Sequence, residues 1–242
     1  MTALRRVGIL GGMGPEATVL LMSRVIAATP AKDDADHIPL IVDQNPQVPS
    51  RIARLIEGTG ADPAPVLAAM ARRLEVAGAE ALAMPCNTAH HYAPAIRAAA
   101  SVPLIDMVAL SAEAAARAGR GGRVGILASP AVQRIGLFDA ALARHGAAAV
   151  YPADQPALLE AIRAIKREGP TPAARAALAA AARGLAREGA AIQLVACTEF
   201  SLIADAAGEE GEVIDTLDVL TAEIVRFARG EDGARPGGES GG

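Results

Sequence analysis

The sequence predicts an α/β fold that consists of two similar halves. Short, almost entirely apolar runs alternate with longer segments of helical periodicity, which is typical of buried parallel sheets covered by helices. The apolar run VGIL at 7–10 recurs at 124–127, which is 117 residues later. The cysteines Cys86 and Cys197 each follow such a run and are 111 residues apart. Two landmarks in the same order at nearly equal offsets indicate two similar α/β halves.

In each half, apolar runs predict strands and helical periodicity predicts helices. The elements predicted in the first half are, in chain order, strand 7–10, helix 16–28, strand 39–42, helix 65–77, strand 81–84, helix 93–99 and a short strand at 104–105. A helix at 110–118 leads into the second half. The elements predicted there are strand 124–127, helix 136–144, strand 148–151, helices 158–167 and 173–188, strands 192–196 and 213–214, and helix 216–228.

These elements divide the chain into lobes. The first lobe spans 1–108 and contains Cys86, and the second spans 109–208 and contains Cys197. The C-terminal strand and helix, 209–229, are predicted to return to the first lobe. The segment 230–242 has few apolar residues and many glycines, so we expect it to be a disordered tail.

The composition excludes several classes of protein. Hydrophobic residues make up 52% of the 242 residues, which is enough to bury a core. Aromatic residues make up 2%, Trp is absent and the net charge is −4, so nucleic acid is not expected as a partner. No apolar run reaches the roughly 18 residues of a membrane span, and residues 1–6 lack the apolar region of a signal peptide. We therefore expect a cytoplasmic protein with reduced thiols and no membrane segment.

The candidate site lies at the carboxyl ends of the predicted strands, where open α/β sheets bind ligands. Cys86, Cys197 and the glycine-rich loop 11–14, which contains Met13, all follow strands. Thr88 and Thr198 are candidate N-caps of the next helices. A helix N-terminus carries partial positive charge, so it lowers the pKa of a nearby thiol. A free cysteine is also commonly a small buried hydrophobe, and this interpretation stays open.

Two thiols on opposite sides of one cleft suit the inversion of a stereocentre, in which one group removes a proton and the other delivers one. Asn87 and Thr88 offer donors for a carboxylate, although both are also ordinary turn and cap residues. His90 follows Cys86 at a spacing that also permits a Cys–His dyad or part of a metal site. No cluster of further metal ligands accompanies it in the sequence, so no metal is predicted.

Four segments together resemble the aspartate racemase branch of the Asp/Glu racemase superfamily. They are GILGGMGPEAT at 8–18, NPQVPSR at 45–51, MPCNTAH at 84–90 and ACTE at 196–199. The resemblance extends over residues 6–227, approximately, and the motifs occur in the same order as in the family. It implies an amino-acid racemase that needs no cofactor, with two pseudo-symmetric Rossmann-like lobes, mainly parallel sheets, an active site in the cleft between them and usually a homodimeric assembly.

The resemblance also implies roles for single residues. Cys86 and Cys197 match the paired acid/base thiols, and Asn87, Thr88 and Thr198 match positions that hold the α-carboxylate and amino group of the substrate. Arg51 and Lys166 match the pair that binds the distal carboxylate of an acidic amino acid. Met13 and Ser129 complete the residues predicted to bind substrate.

The sequence departs from the family pattern at several positions. Ser50 stands where Asp is usual, and Phe138 stands where Tyr is common. The second-lobe loop reads ASPAV at 128–132, so Ser129 keeps one hydroxyl while Val132 has lost the other. The departures leave the acid/base pair intact but bear on the identity of the acid bound.

Other functions stay open at the level of sequence. The loop from Gly12 fits the pattern G-x-G-x-x-A of a nucleotide-dependent oxidoreductase, with Asp43 as the ribose-binding acid. However, Asp43 lies 29 residues after Gly14, and Glu16 places a negative charge where a pyrophosphate would bind. A scaffold protein without catalysis is a second alternative. Hydantoin racemase and maleate isomerase are further alternatives within the superfamily.

Overall fold

The computed structural model describes residues 3–208 and 211–231. It contains two four-stranded sheets in which every strand pair is parallel, with the orders β2-β1-β3-β4 and β6-β5-β7-β8. The strands of the first sheet are β1 (Val7–Gly11), β2 (Leu40–Gln44), β3 (Ala81–Ala83) and β4 (Leu104–Ile105). The strands of the second are β5 (Arg123–Leu127), β6 (Ala148–Val150), β7 (Ile192–Val195) and β8 (Glu212–Asp215). The predicted α/β class with two parallel lobes is confirmed.

Helices cover both sheets. The α-helices are α1 (Pro15–Ala28), α2 (Ala64–Val76), α3 (Ala93–Ala99), α4 (Met107–Ala118), α5 (Pro130–Arg134), α6 (Leu137–Ala143), α7 (Gln155–Glu168), α8 (Pro172–Arg187) and α9 (Thr216–Ala228). Short 3₁₀ helices occupy Asp34–Asp36, Thr88–Tyr92 and Phe200–Ala207, and a π-helix occupies Ala53–Glu57. In the part of the chain that the structure describes, no helix is long and apolar enough to cross a membrane.

The repeated VGIL run has the same packing in both lobes. A Cβ atom added to Gly8 of β1 would lie 2.8 Å from Ala79 Cβ and 3.1 Å from Leu74 Cβ. A Cβ atom added to Gly125 of β5 would lie 2.9 Å from Leu185 Cδ1. Real Cβ atoms essentially never approach another atom within 3.0 Å, so a side chain at Gly8 would displace Ala79 and one at Gly125 would displace the end of the Leu185 side chain.

The C-terminal segment connects the lobes in a way that corrects one prediction. Strand β8 does not return to the first lobe, because it pairs with β7 of the second sheet. Only the following helix α9 crosses over, and it packs in one cluster with the first-lobe strands and α1. Residues 232–242 of the predicted tail lie outside the described residues.

A buried ion pair joins the lobes where β8 ends and α9 begins. Arg24 of α1 donates from Nη1 to Asp215 Oδ2 at 2.7 Å and from Nη2 to the Ser201 carbonyl at 2.9 Å. Asp215 also accepts from the Ser201 hydroxyl at 2.7 Å and caps α9 through the Leu217 amide at 2.9 Å. Asp215 is 5% exposed, and burial raises the pKa of its carboxyl although the Arg24 guanidinium opposes this effect.

We expect Asp215→Ala to destabilise the protein by about 3 kcal/mol or more, because it leaves Arg24 without its buried partner and removes a helix cap. In a domain of this size, this corresponds to a fall in Tm on the order of 6–12 °C. Asp218→Ala is the matched control, because Asp218 contacts the same Arg24 Nη1 at 2.9 Å but is largely exposed. Its expected cost is at most about 1 kcal/mol. Equal melting temperatures for the two variants would contradict this role of Asp215.

Candidate active site

A cavity of about 520 Å³ opens at the carboxyl ends of the strands. The first lobe contributes the loop after β1, the start of α1 and the segment after β2, and the second lobe contributes residues of α7 and of the segment after β7. The residues that line the cavity are Gly12, Gly14, Pro15, Glu16, Ala17, Pro46, Val48, Ser50, Arg51, Lys166, Glu199 and Leu202. Of the predicted site residues, Arg51 and Lys166 therefore line the cavity directly.

The two thiols are buried at equivalent places. Cys86 follows β3 and Cys197 follows β7, and each residue is 7% exposed. A 3₁₀ helix begins shortly after each cysteine, at Thr88 and at Phe200. Neither Thr88 nor Thr198 caps these helices, so the predicted capping is wrong. The N-cap residues are Asn87 and Glu199, and neither side chain makes a capping hydrogen bond.

Burial and Glu199 act together on the ionisation of Cys197. The Cys197 thiol donates to Glu199 Oε2 at 3.0 Å, and the Lys166 ammonium lies 2.7 Å from Glu199 Oε1. Burial raises the pKa of the Cys197 thiol well above its usual range, and the Glu199 carboxylate raises it further, while Lys166 opposes both. The prediction that the helix N-terminus lowers this pKa is therefore wrong for Cys197.

Lys166 lines the cavity and interacts electrostatically with both cysteines. Partial burial disfavours its charge, but the Glu199 carboxylate outweighs burial, and the net effect raises the pKa of the lysine. Cys197 and Cys86 also act on Lys166 electrostatically in the same direction. Helix α7 of the second lobe thus brings its cation near the cysteines of both lobes.

Two hydrogen bonds connect the lobes beside the thiols. Thr198 Oγ1 donates to the Pro85 carbonyl at 3.2 Å, and Asn87 Nδ2 donates to Thr216 Oγ1 at 2.9 Å. Thr216 in turn donates to the Val195 carbonyl at 3.0 Å. Asn87 Oδ1 is buried and has no hydrogen-bond partner among the described residues. An acceptor of this kind suits an N–H donor of a ligand.

The other predicted substrate-binding residues have different surroundings. Met13 is buried in the first-lobe core, and Thr88 is partly buried. Ser129 is buried and caps α5, because the Ala131 amide donates to its Oγ at 3.1 Å. Among the described residues, its hydroxyl donates no hydrogen bond. Val132 is completely buried in the second-lobe core, so the lost hydroxyl is replaced by apolar packing.

Arg51 lies where the loop after β2 meets the second lobe. Its Nη1 donates to the Val48 and Pro49 carbonyls at 3.2 and 2.8 Å, which orients the guanidinium at the cavity. The π-helix that follows is held by the second lobe. Arg134 donates to the Ile56 carbonyl at 2.9 Å, and Arg163 pairs with Glu57 at 3.2 Å.

His90 does not form a dyad with the Cys86 sulfur. Its Nδ1 lies 2.9 Å from the Cys86 carbonyl oxygen, and its Nε2 accepts from the Met107 amide at 3.3 Å. Burial lowers the pKa of His90, so the ring is neutral and connects two segments of backbone. Within residues 3–208 and 211–231, no group of three metal-ligating side chains is present.

The glycine-rich loop is occupied by internal contacts. Gly12 has a φ of 91°, and an added Cβ would lie 2.3 Å from the Asn45 carbonyl carbon. The Gly12 amide donates to Thr18 Oγ1 at 2.9 Å. Asp43 forms an ion pair with Arg73 at 2.7 Å, so the carboxylate considered for a ribose hydroxyl already has a partner.

Residues 10–224 match the model of the family described as Asp/Glu/Hydantoin racemase. The chain belongs to this family. The resemblance of the four sequence segments is thereby confirmed.

Individual relatives of this racemase-family chain agree with the assignment. The broad specificity amino-acid racemase RacX of Bacillus subtilis (strain 168) is 34% identical over 106 residues, which are 42% of this chain and 45% of that protein. The match thus spans less than half the length of that relative. The structure of the Picrophilus torridus aspartate racemase is 27% identical, with a TM-score of 0.83 over 93% of this chain and 94% of the other.

An aspartate racemase homologue from Pyrococcus horikoshii OT3 shares the fold at 22% identity, with a TM-score of 0.72 over 93% of this chain and 100% of the other.

Sequence reasoning did not assign a role to Glu199. It lies two residues after Cys197 in the segment ACTE, which contributed to the family resemblance. A carboxylate so near a candidate acid/base thiol in the sequence could have indicated a role in proton transfer. Its second partner, Lys166, is 33 residues earlier on α7, and only the fold brings the two together.

We expect His90→Ala to destabilise the protein by about 2–3 kcal/mol, because it removes two buried hydrogen bonds and leaves the Met107 amide without its partner. His91→Ala is the matched control, since His91 is exposed, and its cost should stay within about 0.5 kcal/mol. Urea unfolding measures both.

The wild type should also lose more stability on acidification than His90→Ala. Because the folded-state pKa of His90 is lowered, this contribution is complete above the usual value of about 6.5 and is lost as the pH falls below it. Parallel loss in both proteins between about pH 7 and pH 5 would contradict a buried neutral His90.

Proposed function

We propose that the protein is an amino-acid racemase that needs no cofactor and uses Cys86 and Cys197 as its acid/base pair. The observation that carries this proposal is the equivalent placement of the two thiols. Each lies at the end of the third strand of its lobe in a chain of the racemase family. The hydrogen bond from Thr198 to the Pro85 carbonyl supports a shared site, because it joins the two segments that hold the thiols.

The proposed reaction inverts the α-carbon by two proton transfers. One cysteine, as thiolate, takes the α-proton from one face of the substrate. The other, as thiol, gives a proton to the opposite face, and the roles reverse for the other enantiomer. Hydrogen-bond donors around the α-carboxylate stabilise the charge that develops between the two transfers.

The residues around the thiols supply contacts for an amino acid. In the proposal, Asn87 Oδ1 accepts from the α-amino group, which supplies the hydrogen bond that this buried atom lacks among the described residues. Thr88 and Ser129 offer hydroxyl donors to the α-carboxylate, and Thr198 joins them when its hydroxyl turns from the Pro85 carbonyl to the substrate. Met13, in the loop after β1, is buried in the same first-lobe cluster as Cys86.

Arg51 and Lys166 favour an acidic amino acid as the substrate. Both line the cavity, one from each lobe, and a second carboxylate needs such cations as anchors. The planar guanidinium of Arg51 can donate two parallel hydrogen bonds to a carboxylate, whereas the Lys166 ammonium is a compact positive charge. A wider range of amino acids is a second candidate, because the partly matching Bacillus subtilis relative is named as a broad specificity racemase.

We further propose that the enzyme works as a homodimer in the cytoplasm. Val19 and Ile26, seven residues apart on α1, are 59% and 56% exposed, which supports a partner on this helix. Both cysteines are free thiols, and thiols persist in a reducing compartment.

We expect Cys86→Ala and Cys197→Ala each to abolish racemisation, because inversion needs a proton donor and an acceptor on opposite faces. Polarimetry with both enantiomers, without added cofactor, measures the loss. Melting curves control for folding. Near wild-type turnover in either variant would refute the two-thiol mechanism.

We expect Arg51→Ala to lower kcat/KM for aspartate or glutamate by about ten- to a hundredfold, because a charge-assisted hydrogen bond contributes about 1.5–3 kcal/mol. Turnover of alanine, which has no distal carboxylate, should change much less. Arg54→Ala is the matched control, since Arg54 is exposed and its side chain donates, among the described residues, to the nearby Gly60 carbonyl. An equal loss on all three amino acids would exclude Arg51 as the specificity residue, and a wild type inactive on both acids would exclude the substrate class.

A further inference from the structure

The two thiols are equivalent in the fold but not in their chemical surroundings. The residue two positions after Cys86 is Thr88, whereas the residue two positions after Cys197 is Glu199. Glu199 is 8% exposed and uses its two oxygens separately. Oε2 accepts from the Cys197 thiol at 3.0 Å, and Oε1 pairs with Lys166 at 2.7 Å. The carboxylate thus lies between a reactive group and a cation.

We propose that Glu199 is the proton partner of Cys197: it holds this cysteine as a thiol in the empty site and accepts the thiol proton when Cys197 must act as a base. The proposal rests on the proposed function, because it requires Cys197 to take a proton from the substrate. It adds that the two cysteines reach the thiolate state by different routes.

The proton transfers balance in this scheme. The S–H bond of Cys197 breaks and an O–H bond forms on Glu199 Oε2, so the pair keeps one negative charge. The Cys197 thiolate then takes the α-proton, and Cys86 gives its proton to the other face and becomes a thiolate. Water returns a proton to Cys86 and receives the one on Glu199, which restores the initial state.

The ion pair with Lys166 makes this exchange depend on the substrate. Lys166 lines the cavity and forms an ion pair with Glu199. A substrate carboxylate that binds Lys166 shares this cation with Glu199. A carboxylate whose cation is shared holds a proton more tightly, so the thiol proton moves to Glu199 more readily. The distal carboxylate of the substrate thereby promotes formation of the base.

Glu199→Gln tests the proposal with two independent readouts. The first is racemisation, for which kcat/KM should fall by about a hundredfold or more, since general acid–base partners contribute at this level. The fall must be equal in both directions, because the two enantiomers have the same free energy. The amide keeps the size of the side chain but cannot accept the proton.

The second readout is the ionisation of Cys197, followed by thiolate ultraviolet absorbance in the Cys86→Ala background, where Cys197 is the only cysteine. Burial and the Glu199 carboxylate raise the pKa of this thiol while Lys166 lowers it, so removing the negative charge leaves burial opposed by the cation. The titration midpoint in Glu199→Gln should fall by about one to three pH units. A role of Glu199 in folding alone would not produce this fall.

Two further variants make the outcome decisive. Glu160→Gln on α7 is the control, because Glu160 is an exposed carboxylate paired with Arg167, and both readouts should match the wild type. If Glu199→Gln does not fold, Glu199→Asp replaces it. This variant keeps the charge, but its shorter side chain moves the carboxylate away from the Cys197 thiol. Racemisation should therefore fall at least tenfold, while the titration midpoint of Cys197 stays within one pH unit of wild type.

Wild-type racemisation in Glu199→Gln, or an unchanged midpoint for Cys197, overturns the proposal. These results are distinct from a failure of the proposed function. If Cys197→Ala is inactive but Glu199→Gln is fully active, the two-thiol mechanism stands and only the proton partner is excluded. If Cys197→Ala retains activity, the proposed function itself fails.

Discussion

Arg24 and Asp215 form the buried contact on which the relative position of the two lobes depends. Arg24 belongs to the first lobe, Asp215 ends the last strand of the second, and Ser201 lies in the helix that follows Cys197. A buried charge without its partner is costly, so these groups tolerate only one arrangement of the lobes. The same contact therefore constrains the strand ends at which both thiols lie.

The thiols show how similar folds provide different chemistry. Gly8 and Gly125 are closely packed at corresponding positions of β1 and β5, and the cysteines occupy corresponding strand ends. The difference arises from single side chains at the surface of the cavity. Glu199 and Lys166 place two opposite charges beside Cys197, and burial together with the Glu199 carboxylate keeps this thiol protonated.

Much of the fold was predictable, because apolar runs and helical periodicity report burial directly. Every predicted strand is present, but β8 was assigned to the wrong lobe, since an apolar pattern does not say which sheet a strand joins. Helix α5 was missed because five residues are too few for periodicity to be visible. At the site, Arg51 and Lys166 line the cavity, and their role in substrate binding stays a prediction. The predicted direction of the pKa shift of Cys197 is wrong, because burial and Glu199 raise this pKa.

The crossing of α9 has a consequence for the order of synthesis. Val7, Ile9 and Leu21 of the first lobe are buried in a cluster with Leu217 and other residues of α9. On the ribosome the first lobe emerges long before α9 is made, and during that interval this apolar face lacks its native cover. Completion of the first lobe therefore waits for nearly the whole chain, and the two lobes mature together.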